Sequence, residues 1–171
     1  MSILRDLFNR YNCDKGSKHN YERVYEQFFE PLKDKEINIL EVGIYYGRSL
    51  QVWKEYFPKA QIYGIDTFQR IQPNEIQALS EDNIHWTTCD STSLNCTSIV
   101  SNAFGQDTKF DIIIDDGLHT PEANAKTLKN FWPLLKPDGI YFVEDAWPFD
   151  MMKSQEIIDN GWFKNKTHIY N

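Results

Sequence analysis

Ile37-Asn38-Ile39-Leu40-Glu41-Val42, followed at once by Gly43-Ile44-Tyr45-Tyr46-Gly47, is the stretch that decides the fold. A short aliphatic run closing on a glycine-bearing turn reads as a strand entering a helix. Ser49 to Phe57 supplies that helix, with Leu50, Trp53 and Phe57 at helical spacing and Pro58 as its stop. The alternation repeats downstream. Strands are expected at Gln61 to Ile65, Ile84 to Thr88, Phe110 to Ile114 and Ile140 to Val143. Between them come a short helix at Pro73 to Leu79, a helix over 94–103, and one running from Thr120-Pro121 to about Leu135, where Pro137-Asp138-Gly139 turns the chain. Upstream, Ile3 to Tyr11 and Tyr21 to Phe29 read as amphipathic helices around a polar turn, Asn12 to Asn20. Strands alternating with helices imply an α/β protein with a mostly parallel, doubly wound sheet covered by helices on both faces. We expect a single domain over 1–171, with 1–35 as an N-terminal helical cap and 36–171 as the α/β core.

Composition narrows the function. The chain is 41% hydrophobic and 15% aromatic, which excludes a disordered polymer. Its formal charge is −7, and the acidic excess falls between residues 71 and 122. No cluster of Lys and Arg exists to neutralise phosphates, so nucleic acid is not the expected partner. The longest apolar runs reach about four residues, so no membrane span is expected. The opening MSILRDLFNR lacks the apolar stretch of a signal peptide. Cys13, Cys89 and Cys96 are odd in number and without zinc-like spacing, as expected of reduced thiols in a cytoplasmic protein.

In doubly wound sheets, ligands bind beyond the carboxyl ends of the strands. The expected strand ends carry Gly43, Asp66, Asp90, Asp115-Asp116 and Glu144-Asp145. Gly43 and Gly47 would let backbone approach a ligand closely, and Asp66 would accept hydrogen bonds from the ribose diol of an adenosine-containing cofactor. A dinucleotide fingerprint wants a glycine where this chain has Tyr45. The second grouping is Asp115-Asp116-Gly117-Leu118-His119 with Glu144-Asp145. Carboxylates at two strand ends can converge on a hard cation, Mg²⁺, Mn²⁺ or Ca²⁺ rather than zinc. His119, three residues past Asp116, can overhang that cation and take a proton from a bound hydroxyl.

The chain resembles the class I S-adenosylmethionine-dependent methyltransferases, whose first motif is matched by Glu41, Gly43 and Gly47, with Tyr45 at the middle glycine. Within them it resembles the metal-dependent sugar O-methyltransferases typified by the macrolide glycoside 2-O-methyltransferases. That likeness is carried by Asp14-Lys15-Gly16 with His19 and Tyr21, Glu41 to Leu50 with Trp53, Tyr63 to Asp66, Asp115 to His119, and Glu144-Asp145. The resemblance implies a Rossmann-like fold and S-adenosylmethionine as cofactor. It implies cofactor contacts from Glu41, Gly43, Gly47, Ser49, Asp66, Asp90 and Asp115, with Asp66 on the ribose and Asp90 near the adenine. It also implies Asp116, Glu144 and Asp145 as ligands of Mg²⁺ (or Mn²⁺), His119 as general base, and a sugar or glycoside as acceptor. The 14–21 segment would fold over the cofactor.

Two other readings share these residues: a catechol-type O-methyltransferase with a flat aromatic acceptor, and a module that binds S-adenosylmethionine without turnover. A nicotinamide oxidoreductase is disfavoured by Tyr45. Beyond Asp145 there is room for one helix, about 150–160, and one strand, about 166–170, so the antiparallel strand pair that ends such sheets is expected to be incomplete. An unpaired edge invites a second copy of the chain, hence a homo-oligomer.

Overall fold

The computed structural model describes residues 2–17 and 19–145. The helix and strand expected beyond Asp145 lie outside the described residues. Five strands form one sheet: β1 (Asn38–Val42), β2 (Gln61–Asp66), β3 (Ile84–Thr88), β4 (Phe110–Asp115) and β5 (Leu135–Val143). Their spatial order is β3-β2-β1-β4-β5, and every neighbouring pair is parallel. The chain therefore leaves β1 toward one edge and returns at β4 toward the other, so the switch point lies between the ends of β1 and β4. The turns at Gly43–Gly47 and Asp116–His119 face each other there.

Helices α1 (Ile3–Arg10), α2 (Asp14–Ser17), α3 (Glu22–Phe29), α4 (Arg48–Tyr56), α5 (Cys96–Phe104) and α6 (Pro121–Phe131) complete the elements. Ser2 caps α1, its hydroxyl accepting from the Arg5 amide, and Thr120 caps α6 by accepting from Ala123. The period-two pleat splits the sheet's side chains between two cores. Ile39, Ile112 and Ile114 pack with Leu4, Phe8, Tyr25, Phe29 and Trp53 on the face covered by the N-terminal helices and α4. Leu40, Ile113 and Phe110 pack with Val100 and Phe131 on the other face. The cap is welded to the first face by aromatic edges, with Phe8 and Phe29 each 5.6 Å from the Trp53 ring. Glu41 shares the face of Ile39 and so points under the cap, whereas Asp115 shares the face of Ile113.

Three elements differ from the sequence expectation. The polar turn at 12–20 contains the helical turn α2, because Lys15 has a buried partner set that anchors it. The Pro73–Leu79 helix is a pair of 3₁₀ turns, Pro73–Glu75 and Gln77–Ser80. β5 begins at Leu135, with 3₁₀ turn Trp132–Leu134 before it, and runs through Pro137-Asp138-Gly139. Its register against β4 shifts between Phe110 and Ile112. Among the described residues β5 is an edge strand, where proline costs no ladder hydrogen bond on the open side. No helix among the described residues is long and apolar enough to cross a membrane.

Candidate active site

The β1 turn uses left-handed backbone three times in five residues: Gly43 (φ 93°), Tyr45 (φ 49°) and Gly47 (φ 70°). A Cβ at Gly43 would lie 2.1 Å from the carbonyl oxygen of Asp116, so this glycine is required by the close approach of the β4 loop. Tyr45, standing where the motif has a glycine, keeps the glycine-like backbone and turns its ring to solvent, half exposed. Gly47 opens α4 as its N-cap.

Asp66, at the end of β2, braces this turn. Its Oδ2 accepts from the amides of Ile44 (2.8 Å) and Tyr45 (3.0 Å), and its Oδ1 from Phe68 (2.8 Å). A carboxylate offers about four acceptor sites, so one remains for a ligand hydroxyl. Asp90 caps its own turn, Oδ1 accepting from the amide and hydroxyl of Thr92. Glu41 and Ser49 lie beneath the turn rather than open to a ligand. The Ser49 hydroxyl donates to Glu41 Oε2 at 2.7 Å and the Trp53 indole to the same oxygen at 3.1 Å. Burial raises the Glu41 carboxyl above its ordinary range, against the opposing pull of Lys15. Asp115 is buried, with Oδ2 lacking a hydrogen-bond partner among the described residues. Burial pushes its carboxyl up to about 7.

The carboxylates beyond β4 and β5 are sorted by a residue from the cap. Lys15 is 2% exposed, and its ammonium lies 2.5 Å from Asp116 Oδ2, 2.6 Å from Glu144 Oε2 and 3.4 Å from Glu41 Oε1. Burial alone would lower its pKa, but Glu144, Asp116 and Glu41 overcome that and hold it above the ordinary lysine value. The other Glu144 oxygen accepts from the buried Tyr25 hydroxyl. Burial raises the Glu144 carboxyl, and Lys15 works against that shift. Asp116 Oδ1 faces the other way, 3.6 Å from His119 Nε2. Asp145 accepts from the Tyr21 hydroxyl and lies 3.4 Å from His19 Nδ1.

The side chains that converge are therefore Asp116, His119 and Asp145, each offering one donor atom within 4.8 Å of the others. Of the expected ligands Asp116, Glu144 and Asp145, the first and last converge with His119, while both Glu144 oxygens are engaged by Lys15 and Tyr25. The two carboxylates, Asp116 and Asp145, are oxygen donors of the kind that fits a hard divalent cation such as Mg²⁺ or Mn²⁺, with the His119 imidazole beside them. His119 Nδ1 is buried with no hydrogen-bond partner among the described residues, so neither ring nitrogen is committed by a short bond. Lys15 and Tyr25 are the site residues that the reading of the residues alone missed. The Asp-Lys-Gly run pointed to Lys15 only through the family likeness.

A parallel sheet in this order, with glycine and carboxylates at the strand ends flanking the switch point, has the architecture of the class I S-adenosylmethionine-dependent methyltransferases. A family model described as a methyltransferase domain matches residues 40–146, and the chain belongs to that family. It is 30% identical over 156 residues to the 8-demethyl-8-alpha-L-rhamnosyl tetracenomycin-C 2'-O-methyltransferase of Streptomyces olivaceus, a match covering 85% of this chain and 39% of that protein. It is 30% identical over 152 residues to the demethylmacrocin O-methyltransferase of Streptomyces fradiae, covering 84% of this chain and 36% of the relative. The chain thus spans well under half the length of these relatives. The solved MycE methyltransferase from the mycinamycin biosynthetic pathway, in complex with Mg, SAH and mycinamycin VI, superposes with a TM-score of 0.80 at 24% identity, over 98% of this chain and 52% of that one. The expected fold is confirmed.

Proposed function

We propose that this chain carries the cofactor and cation site of an S-adenosylmethionine-dependent O-methyltransferase whose acceptor is a hydroxyl of a sugar or glycoside. The observation that carries the reading is the convergence of Asp116, His119 and Asp145 beside the switch point, where the β1 turn lies. It is supported by relatives named as O-methyltransferases of rhamnosyl and macrolide compounds.

The spare acceptor site on Asp66 suits the ribose diol, and the unpartnered Asp115 Oδ2 suits an N–H donor of the cofactor. Asp116 and Asp145 would hold Mg²⁺ or Mn²⁺. A bound divalent cation supplies a lowered pKa to a hydroxyl that reaches it. His119 would remove the acceptor proton at Nε2, being the imidazole beside the two converging carboxylates. S-adenosylmethionine would supply the methyl group and keep the electron pair of the broken bond on its sulfur, while His119 would hold the proton lost by the acceptor hydroxyl.

Replacing His119 tests the assignment. His119→Ala should lower turnover by roughly 10²–10⁴-fold while S-adenosylmethionine and Mn²⁺ affinities stay close to wild type. A loss of Mn²⁺ affinity instead would make His119 a ligand, and unchanged turnover would remove it from the chemistry.

A further inference from the structure

Resting on the cation reading above, we propose that Tyr21 is a positioning residue that aims Asp145 at the cation site, so that docking of the N-terminal segment and cation binding are coupled. Two of the three converging residues, His119 (φ 57°) and Asp145 (φ 48°), hold left-handed backbone without being glycine. Such a conformation is strained and persists only where surrounding contacts over-determine it. At Asp145 the contacts among the described residues are the Tyr21 phenol and, at 3.4 Å from Oδ1, His19 Nδ1. The Tyr21 hydroxyl donates to Asp145 Oδ1 and accepts from the Asp145 amide at 3.3 Å, so side chain and backbone are gripped together.

The phenol is itself held. The Tyr21 amide donates to the Lys15 carbonyl at 2.9 Å, His19 stacks on its ring with centroids 5.0 Å apart, and the Tyr25 ring meets it edge-on at 6.3 Å. Lys15 and Tyr25 grip Glu144, the residue before Asp145. The end of β5 is therefore shaped by residues 15–25, more than a hundred positions upstream, and Tyr21 is the member that bonds both the side chain and the amide of Asp145. A phenol bonded to a metal-facing carboxylate orients it, and losing such a partner typically weakens metal affinity about 10–100-fold.

The test is Mn²⁺ titration of the chain, followed by electron paramagnetic resonance of free Mn²⁺. Tyr21→Phe keeps the ring and deletes only the hydroxyl; its Mn²⁺ affinity should fall by about 10–100-fold, with S-adenosylmethionine affinity retained. Tyr56→Phe, which deletes a phenol bonded to Glu30 at 2.9 Å away from the strand ends, should bind Mn²⁺ as wild type does. Coupling is reciprocal, so Mn²⁺ should slow amide exchange across 14–25 in the wild type and less so in Tyr21→Phe. Wild-type Mn²⁺ affinity in Tyr21→Phe overturns the positioning role while leaving the cation reading intact. A wild-type chain that takes up no Mn²⁺ overturns both.

Discussion

Replacing Lys15 with methionine removes one charge from the interior and little else, since both side chains are long and unbranched. The ammonium is 2% exposed and lies within 3.4 Å of three carboxylates, two of them, Glu41 and Glu144, buried. Breaking a buried pair by deleting one partner costs about 3–5 kcal/mol, because the surviving charge is left uncompensated. In a domain of this size each kcal/mol moves the melting temperature by about 2–4 °C. Lys15→Met should therefore melt roughly 6–20 °C below wild type in calorimetry without divalent cations. Adding Glu144→Gln should recover part of the loss, because the amide still accepts from Tyr25 and no longer carries the unpaired charge. A single variant melting within about 2 °C of wild type would refute the reasoning: the cluster would then not depend on its one internal cation.

Asp66→Ala should weaken S-adenosylmethionine binding by on the order of 1.5–3 kcal/mol in calorimetry and also loosen the β1 turn, seen as faster exchange of the Ile44 and Tyr45 amides; unchanged affinity removes Asp66 from the site. Gly43→Ala should prevent the native approach of the β1 and β4 turns, because its Cβ would meet the Asp116 carbonyl at 2.1 Å; a soluble variant with wild-type stability would contradict that close approach. Asp115 holds a proton in the folded state up to about pH 7, against an ordinary value of 3.8. Its contribution to stability is thus full below pH 3.8 and lost as pH rises through about 7. Denaturant titrations should show wild type losing stability relative to Asp115→Asn across that window; parallel curves would place a charged carboxylate there comfortably.

The sheet was legible because its signals are local. Each strand carries a short run of β-branched, aliphatic or aromatic residues, and each ends on or within two residues of a glycine or carboxylate, so the ligand-facing edge could be traced before any contact was known. Tyr45 shows a limit of motif matching: the glycine-like conformation persists without the glycine. What stayed hidden depends on distant contacts. Lys15 reads as a surface residue in a polar turn, and its burial follows from carboxylates 101 and 129 positions away. Tyr25 sits at core spacing, and the spacing says nothing of the hydroxyl that engages Glu144. Hence Glu144 and Asp145 looked equivalent in the sequence, whereas the cap bonds the first through Lys15 and Tyr25 and the second through Tyr21. Pro137-Asp138-Gly139 looked like a turn because proline and glycine punctuate interior strands, a rule that an edge strand escapes.

The most direct test of the account is methyl transfer itself, followed by mass spectrometry with labelled S-adenosylmethionine and a rhamnosyl glycoside, in parallel with a catechol. Label is expected on a sugar hydroxyl, lost in EDTA and restored by Mg²⁺. Label transferred at an undiminished rate in chelator, or placed only on the catechol, would contradict it.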